Sequence, residues 1–262
     1  MAKITVLITS FNDKRISLTL ESLQKQTKRP DEILVADGGS DEEIREICGK
    51  FPVWFEILPG NVVETRSKAI KLIGEGIVAF IDTDEVAPET WLRDLVAPIE
   101  EGKADFTGGP TRHYPPRSGP ERYLNEIEDY IYGTLVPQNI AYLPMGNSAW
   151  KKEIFDKVGG FDLTIAGGGE DYDINLKAGR LGYRGLLVGS AYLYHDQSGV
   201  NSYWKLVRKR YSYLRATAKT YIKNRSLSSG ISRSSKGRIA HPFFIVETLL
   251  KPVALVDAIL RS

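Results

Sequence analysis

The sequence VAFIDTDEV, residues 78–86, decides how the first part of the chain can fold. Four apolar residues lead directly into two aspartates, Asp82 and Asp84, that are one residue apart. A short apolar run is typical of a buried strand, and side chains two positions apart on an extended chain point to the same side. The two carboxylates then face one site, where they repel unless a cation lies nearby or one is protonated. The stretch predicts either an Mg²⁺ or Mn²⁺ site that holds a diphosphate, or a solvated turn after a strand.

Similar apolar runs recur along the first hundred residues and alternate with segments of helical periodicity. The predicted order is strand 3–9, helix 15–26, strand 32–36, helix 41–49, strand 53–58, helix 64–73 and strand 76–82. This alternation predicts βαβ units, and therefore an α/β protein with a Rossmann-like, mostly parallel sheet flanked by helices. Ligands bind at the carboxyl ends of such strands, where polar clusters follow at 9–12, 37–41 and 82–84.

The pattern Asp-x-Asp-x-Val after an apolar strand also resembles the nucleophile motif of haloacid-dehalogenase-like phosphatases. That resemblance implies that Asp82 attacks phosphorus and that Asp84 handles the proton. In those phosphatases the motif ends the first strand of the domain, whereas three predicted strand–helix units precede it here. The phosphatase is therefore the weaker of the two functional interpretations.

Length and composition limit the possible domain organisation and cellular location of the protein. Of 262 residues, 42% are hydrophobic and 26% are charged, which suffices for one large α/β domain or a domain with an appendage. Cys48 is the single cysteine, so no internal disulfide forms, and a reducing compartment is expected. The opening MAKITVLITSF lacks the longer apolar core of a signal peptide. We expect it to form a first strand, and we expect a cytoplasmic location, with the inner face of the cell membrane as an alternative.

Charge is distributed unevenly along the chain. Residues 1–200 carry 22 lysines and arginines against 31 aspartates and glutamates, whereas residues 201–240 carry 11 basic residues and no acidic one. A basic segment on an acidic body predicts an anionic partner: a membrane surface, a phosphate-rich substrate or a nucleic acid. Because the sequence has no nucleic-acid recognition motif, no nucleic-acid partner is expected.

The basic segment has helical periodicity. Residues 201–225 are predicted to form a basic amphipathic helix whose apolar stripe packs on the rest of the chain. The serine-rich residues 226–240 are predicted to be a flexible linker. Residues 241–262 form an apolar or amphipathic segment that charged residues and a proline interrupt, so a membrane span is not predicted. We expect peripheral membrane contact through 201–260, or packing against a partner.

Five motifs, one of which includes residues 78–86, follow one another along the chain. They are ITVLITSFN (4–12), SLQKQTKRPDEILVADGGSDE (22–42), ETRSKAIKLIGEGIVAFIDTDEV (64–86), MGNSAWKKEIFDKVGGFD (145–162) and GGGEDYDINLKAGRLGYR (167–184). Together they resemble a family 2 glycosyltransferase of the GT-A fold; each motif alone is weak, but five in this order are specific. The resemblance covers roughly residues 3–200. It implies a catalytic domain over 1–200, with a nucleotide-binding half at about 1–105, an acceptor half at about 106–200 and a basic helical extension beyond.

The resemblance also implies roles for single residues. Asp84 and His195 would bind a divalent metal, Mn²⁺ or Mg²⁺, and Asp171 would be the catalytic base. Glu170 and Asn147 would support the base or the acceptor. The residues that would bind the nucleotide sugar are Thr9, Phe11, Asp37, Arg66, Asp82 and Thr83.

The implied reaction is an inverting transfer of a sugar from a UDP- or GDP-type donor to a hydroxyl of a glycan or a lipid-linked acceptor. A metal on Asp84 would stabilise the leaving diphosphate, and Asp171 would take the acceptor proton. A non-catalytic nucleotide-sugar-binding module remains an alternative, because acids such as Glu170 and Asp171 are also favoured at helix N-termini without any catalytic role. The Gln-x-x-Arg-Trp signature of processive members is absent from the sequence, which argues against a polymer synthase.

Overall fold

The computed structural model describes residues 2–132, 143–165, 167–224 and 241–260. Its strands are β1 (Ile4–Ser10), β2 (Glu32–Asp37), β3 (Trp54–Ile57), β4 (Ile77–Phe80), β5 (Glu85–Val86), β6 (Phe106–Gly108), β7 (Thr111–His113), β8 (Ser148–Lys151), β9 (Gly185–Leu187) and β10 (Leu193–His195). Its α-helices are α1 (Ile16–Gln24), α2 (Glu42–Cys48), α3 (Val62–Leu72), α4 (Trp91–Glu100), α5 (Gly119–Tyr132), α6 (Lys152–Val158), α7 (Glu170–Arg180), α8 (Tyr203–Lys223) and α9 (Phe243–Leu260).

Seven strands form the main sheet, in the order β3-β2-β1-β4-β8-β6-β9. The strands β1 to β4 pair in parallel, β8 runs antiparallel to both β4 and β6, and β6 pairs in parallel with β9. The carboxyl ends of β1, β2 and β4 therefore meet at one edge. A second, three-stranded sheet of β5, β10 and β7 begins a few residues after β4 and extends this edge.

The main sheet has a hydrophobic core on each face. Val6 and Ile8 of β1 pack into one core with α1, α2 and α4, whereas Leu7 points into the other with α3, α6 and α7. This alternation is what a strand with both faces covered by helices requires. The α/β class and the mostly parallel sheet predicted from the sequence are confirmed.

The predicted strands and helices of the first hundred residues agree with β1–β4 and α1–α3 to within two residues. The small sheet was not predicted, because strands of two or three residues carry no usable periodicity. This sheet positions two candidate site residues, since β5 begins directly after Asp84 and β10 ends at His195.

The C-terminal helices form a separate packing unit. The helix α8 lies within the predicted basic helix 201–225, and α9 lies within the predicted apolar segment 241–262. A third apolar cluster joins them to α5, with Tyr123, Leu124 and Ile127 contacting Leu206 and Phe243. The predicted linker 226–240 lies outside the described residues.

Candidate active site

The DTD sequence forms a turn that α1 holds in place. The Thr19 hydroxyl lies 2.9 Å from the carbonyl oxygen of Thr83 and 2.7 Å from that of Glu85. Thr83 is buried and donates from Oγ1 to Oδ2 of Asp13 at 3.2 Å. These contacts fix the backbone of the turn, while the Asp82 side chain remains 44% exposed at the edge of the sheet.

Phe11 and Asp37 lie at the carboxyl ends of β1 and β2. Phe11 is 64% exposed, which suits stacking on a planar ring. Asp37 is buried, and its carboxylate accepts from the backbone N–H groups of Gly39 at 2.9 Å and Ser40 at 2.6 Å, and from the Ser40 hydroxyl at 2.5 Å. The carboxylate thus shapes this loop, and its contact with a nucleotide base stays a prediction. Thr9 is partly buried within β1 beside this loop.

Arg66 lies between two carboxylates at the centre of the site. Its Nη2 is 3.3 Å from Oδ1 of Asp82, and its Nη1 is 3.4 Å from Oε1 of Glu170. The Arg66 side chain is only 4% exposed, so these ion pairs are weakly screened by solvent. The start of α3 is fixed by a capping box between Asn61 and Glu64, which sets the position of Arg66.

Glu170 and Asp171 begin α7. Glu170 is buried, and its Oε2 has no hydrogen-bond partner among the described residues. Burial and the charge of Asp171 together raise the pKa of Glu170 to about 7, against the opposing effect of Arg66. Asp171 is only partly buried, and its Oδ1 accepts from the backbone N–H of Tyr172 at 2.8 Å. Asp171 is therefore the more accessible carboxylate of the two.

Asp84 and His195 face each other across the small sheet. The strands β5 and β10 pair with His195 opposite Glu85, and Nε2 of His195 lies 3.3 Å from Oδ2 of Asp84. The backbone N–H of Asp196 donates to the Asp84 carbonyl at 2.8 Å. Arg15 approaches the same Asp84 oxygen to 3.3 Å. The ladder thus brings together two residues that the sequence separates widely.

The charges around His195 reinforce one another. Its Nδ1 lies 3.2 Å from Oε2 of Glu128 and 3.0 Å from Nε2 of Gln197. Burial disfavours the charged forms, but Glu128 and Asp84 together raise the pKa of His195 well above its usual value. For the same reason, His195 and Arg15 outweigh burial and hold the pKa of Asp84 well below its usual value. Both neighbouring carboxylates therefore favour the protonated form of the imidazole.

The donor atoms near Asp84 fit a metal that shares its coordination with a substrate. A carboxylate oxygen and an imidazole nitrogen are both ligands that Mn²⁺ accepts. Within the part of the chain that the structure describes, no group of three or more His, Cys, Asp or Glu side chains is arranged to hold a metal ion. Asp84 and His195 would thus supply part of the coordination, as protein carboxylates do when substrate phosphates supply the rest. This chemistry fits a metal that binds together with a diphosphate.

Asn147 supports the site from the protein interior. It is 1% exposed, donates from Nδ2 to the carbonyl of Ala191 at 2.9 Å and accepts at Oδ1 from Nε1 of Trp91 at 2.8 Å. The preceding Gly146 passes so close to Asp82 that a Cβ at this position would lie 2.6 Å from Oδ2. Asn147 therefore fixes a turn whose backbone lies against Asp82, and its support of the acceptor or the base stays a prediction.

Glu85 belongs to the site although the sequence analysis gave it no role. It is buried, and its Oε2 accepts from the backbone N–H of Asp82 at 3.0 Å. Burial and the charge of Asp82 raise the pKa of Glu85 well above its usual value. The letters DTDEV contained this residue, but only the structure shows that its side chain folds back under the turn.

The helix α8 also reaches the site, which the sequence analysis did not predict. Lys209 donates from Nζ to Oε1 of Gln197 at 3.3 Å, and so joins the network around His195. Tyr213, one turn later, packs against Gly168, where a Cβ would lie 2.5 Å from the tyrosine ring. The charge and the apolar stripe of this helix could be predicted from the sequence, but which residues face the site depends on how α8 packs.

A cavity of about 380 Å³ opens beside the small sheet. The loop between β7 and α5 forms part of its wall, so the predicted acceptor half contributes to it. Its lining includes Arg15, Asp84, Val86, Tyr114, Arg117 and Asp196.

Comparison with known sequences identifies the family. The sequence pattern described as glycosyl transferase family 2 matches residues 5–163. The chain belongs to this family. The predicted resemblance is confirmed, and the phosphatase interpretation of Asp82 is replaced by it. The matched region includes Arg66 and the DTD turn and ends before Glu170, so the roles that the resemblance implies for the carboxylates of α7 stay predictions.

Relatives of this glycosyltransferase family member include two proteins of Haloferax volcanii. Glycosyltransferase AglE is 25% identical over 179 residues, which are 64% of this chain and 58% of AglE. Glucosyl-dolichyl phosphate glucuronosyltransferase is 23% identical over 186 residues, 65% of this chain and 59% of the relative. The chain therefore spans a little under three fifths of the length of each.

A solved structure supports the fold. The mannosyltransferase PcManGT from Pyrobaculum calidifontis, in complex with GDP-Man and Mn²⁺, has a TM-score of 0.64 and 17% identity, covering 99% of this chain and 74% of that one. At this identity the likeness establishes the fold, and the predicted GT-A fold is confirmed. Within the described ranges, no helix is both long and apolar enough to cross a membrane.

Proposed function

We propose that the chain transfers a sugar from a nucleoside-diphosphate donor to a hydroxyl group, with inversion at the anomeric carbon. The observation that carries this proposal is the convergence of Arg66, the DTD turn and the first residues of α7 at one sheet edge of a family 2 chain. In this proposal residues 1–200 form the catalytic domain, with the nucleotide at about 1–105 and the acceptor at about 106–200.

The donor would lie along the carboxyl ends of β1, β2 and β4. Phe11 would contact the base or the ribose with its exposed ring, beside the loop that Asp37 holds, and Thr9 and Thr83 would shape the floor. Arg66 would attract the diphosphate, and Asp82, which is partly exposed, would accept from the ribose or contact the metal. A solved relative in complex with GDP-Man and Mn²⁺ supports a donor of this class, of UDP or GDP type.

Asp84 and His195 would hold a divalent metal, Mn²⁺ or Mg²⁺, against the diphosphate. When bound, such a metal acts as a Lewis acid on the leaving group. The protein's part is to present one carboxylate oxygen and one imidazole nitrogen 3.3 Å apart, with Glu128 orienting the ring from its other nitrogen.

Asp171 would remove the proton from the acceptor hydroxyl as the bond to the anomeric carbon forms. A general base must reach the proton directly, and Asp171 is more exposed than Glu170. Glu170 would hold Arg66 in place instead, since its Oε1 lies 3.4 Å from Nη1. This division of roles assigns chemistry to one carboxylate and positioning to the other.

The acceptor would be a glycan or a lipid-linked sugar. The glucuronosyltransferase relative, named for a dolichyl phosphate acceptor, supports the lipid-linked class. The cavity beside the small sheet is a candidate entrance, because Arg117 and Tyr114 from the acceptor half line it together with Asp84.

Incubation with a panel of UDP- and GDP-sugars and Mn²⁺ tests the proposed function. We expect slow release of the nucleoside diphosphate from one donor, and loss of this release in Asp171→Asn. Donor binding without any turnover in the presence of glycan and lipid-linked acceptors would instead indicate a binding module. Asp156→Asn, which replaces an exposed carboxylate paired with Lys152, serves as the matched control.

A further inference from the structure

The helix α9 turns its acidic residues towards the protein and its apolar residues towards solvent. Its two acidic residues, Glu247 and Asp257, face the protein: Glu247 accepts from Nε of Arg210 at 2.7 Å and from the Tyr123 hydroxyl at 2.6 Å, and Asp257 accepts from the Tyr211 hydroxyl at 3.0 Å. Glu247 is only 2% exposed. A helix on the surface of a globular protein normally turns such residues to water.

The opposite face of α9 is apolar and exposed. Leu249 is 69% exposed and Val256 is 55% exposed, and at 100° per residue they lie on the side away from Glu247. The apolar residues of this outer face, which we call the α9 face, are Ile245, Leu249, Val253, Val256, Ile259 and Leu260. A contiguous exposed apolar surface of this kind marks an interaction site.

Positive charge borders the α9 face. Arg215 of α8 lies 3.7 Å from Asp257 of α9. Arg208 and Lys219, seven residues before and four residues after Arg215, lie on the same side of α8. Trp204, 69% exposed, lies on this side as well. The sequence from 201 to 240 contains 11 basic residues and no acidic one. An apolar face with a basic, tryptophan-bearing border has the composition of a helix that lies in a membrane interface.

We propose that the α9 face and the adjoining side of α8 dock on the surface of a bilayer that contains anionic lipid. The α9 face would enter the boundary between headgroups and acyl chains, and the basic residues would contact lipid phosphates. A second copy of the chain fits this surface less well, because packing α9 against α9 would bring two sets of like charges together. This inference does not depend on the proposed catalytic function.

Sedimentation of the full chain with vesicles tests the proposal. Vesicles of phosphatidylcholine alone are compared with vesicles in which a third of the lipid is phosphatidylglycerol. We expect binding to the anionic vesicles that weakens as salt is raised. The variant Leu249→Glu/Val256→Glu is expected to bind at least about tenfold more weakly, because it places charge on the face that would enter the membrane. Arg208→Glu/Lys219→Glu is expected to remove most of the salt dependence.

The matched control replaces two apolar residues elsewhere that are also more than half exposed, Ile57→Glu/Leu181→Glu, and is expected to bind like the native chain. Circular dichroism of all variants establishes that they are folded. The proposal is overturned if the native chain binds neither vesicle, or if the control Ile57→Glu/Leu181→Glu loses as much binding as Leu249→Glu/Val256→Glu. A native dimer in sedimentation equilibrium that Leu249→Glu/Val256→Glu dissociates would also overturn it, in favour of a second copy.

Discussion

Nε2 of His195 lies 3.3 Å from Oδ2 of Asp84, although 111 residues separate them in the chain. The contact exists because β10 returns beside β5, which follows directly after the DTD turn. The pair joins the first half of the chain to β10, the last strand before the C-terminal helices, and the metal proposal can therefore be tested at this pair without measuring turnover.

A nucleoside diphosphate should stabilise the native protein more when Mn²⁺ is present than when it is absent. We expect Asp84→Asn to abolish this additional stabilisation by Mn²⁺. The amide keeps the shape of the side chain but loses the negative charge that a divalent cation needs. Ligand at 100 times its dissociation constant stabilises a native protein by about 2.7 kcal/mol, so the loss is measurable by thermal unfolding with UDP or GDP and Mn²⁺. His195→Gln should reduce the effect, and Asp156→Asn should leave it unchanged. A full Mn²⁺ effect in Asp84→Asn would contradict the assignment.

Arg66 should be essential for stability as well as for donor binding. Replacing it with methionine keeps most of the volume but leaves Asp82 and the ionised form of buried Glu170 without their cationic partner, so we expect the free energy of unfolding to fall by about 1–3 kcal/mol. We expect the second substitution, Glu170→Gln, to recover part of the loss, because it removes the uncompensated charge. Urea unfolding of the two single variants and the double variant measures this coupling. Additive effects would mean that the two side chains do not interact in solution.

Part of this site could be predicted from the sequence and part could not. The apolar runs gave β1 to β4 and therefore the edge at which Asp82 lies. The five motifs contain Arg66 and Asp171 as candidates, and the resemblance to the family implied His195, which lies beyond the last motif. The sequence could not give the two-residue strand β5, the fold-back of Glu85 or the approach of Lys209, because each depends on packing between segments that are distant in the chain. Asp37 illustrates the same limit, since its burial follows from three hydrogen bonds within its loop.

Glu170 should make the protein less stable as pH rises towards neutrality. Its pKa is about 7 in the native chain, against an ordinary value of 4.5. Between these values the unfolded chain has released a proton that the native chain retains, so the free energy of unfolding falls as pH rises. The expected loss is on the order of 2–3 kcal/mol. Glu170→Gln cannot ionise, and urea unfolding from pH 5 to 8 should show a correspondingly flatter profile. Parallel profiles for the native chain and the variant would refute the shift.

Lys209 should strengthen donor binding from the C-terminal helix. Its ammonium group belongs to the network of Gln197 and His195, and its charge lowers the pKa of Asp84. In Lys209→Gln the dissociation constant of UDP or GDP with Mn²⁺ should rise by about tenfold, the effect of losing roughly 1.4 kcal/mol of attraction to a diphosphate. Isothermal titration without vesicles measures this change. Arg208→Gln, the preceding residue on the outer side of α8, should bind as the native chain does. Equal losses of affinity in both variants would indicate a general effect of positive charge on α8. Such a result would contradict a specific contribution of Lys209 to donor binding.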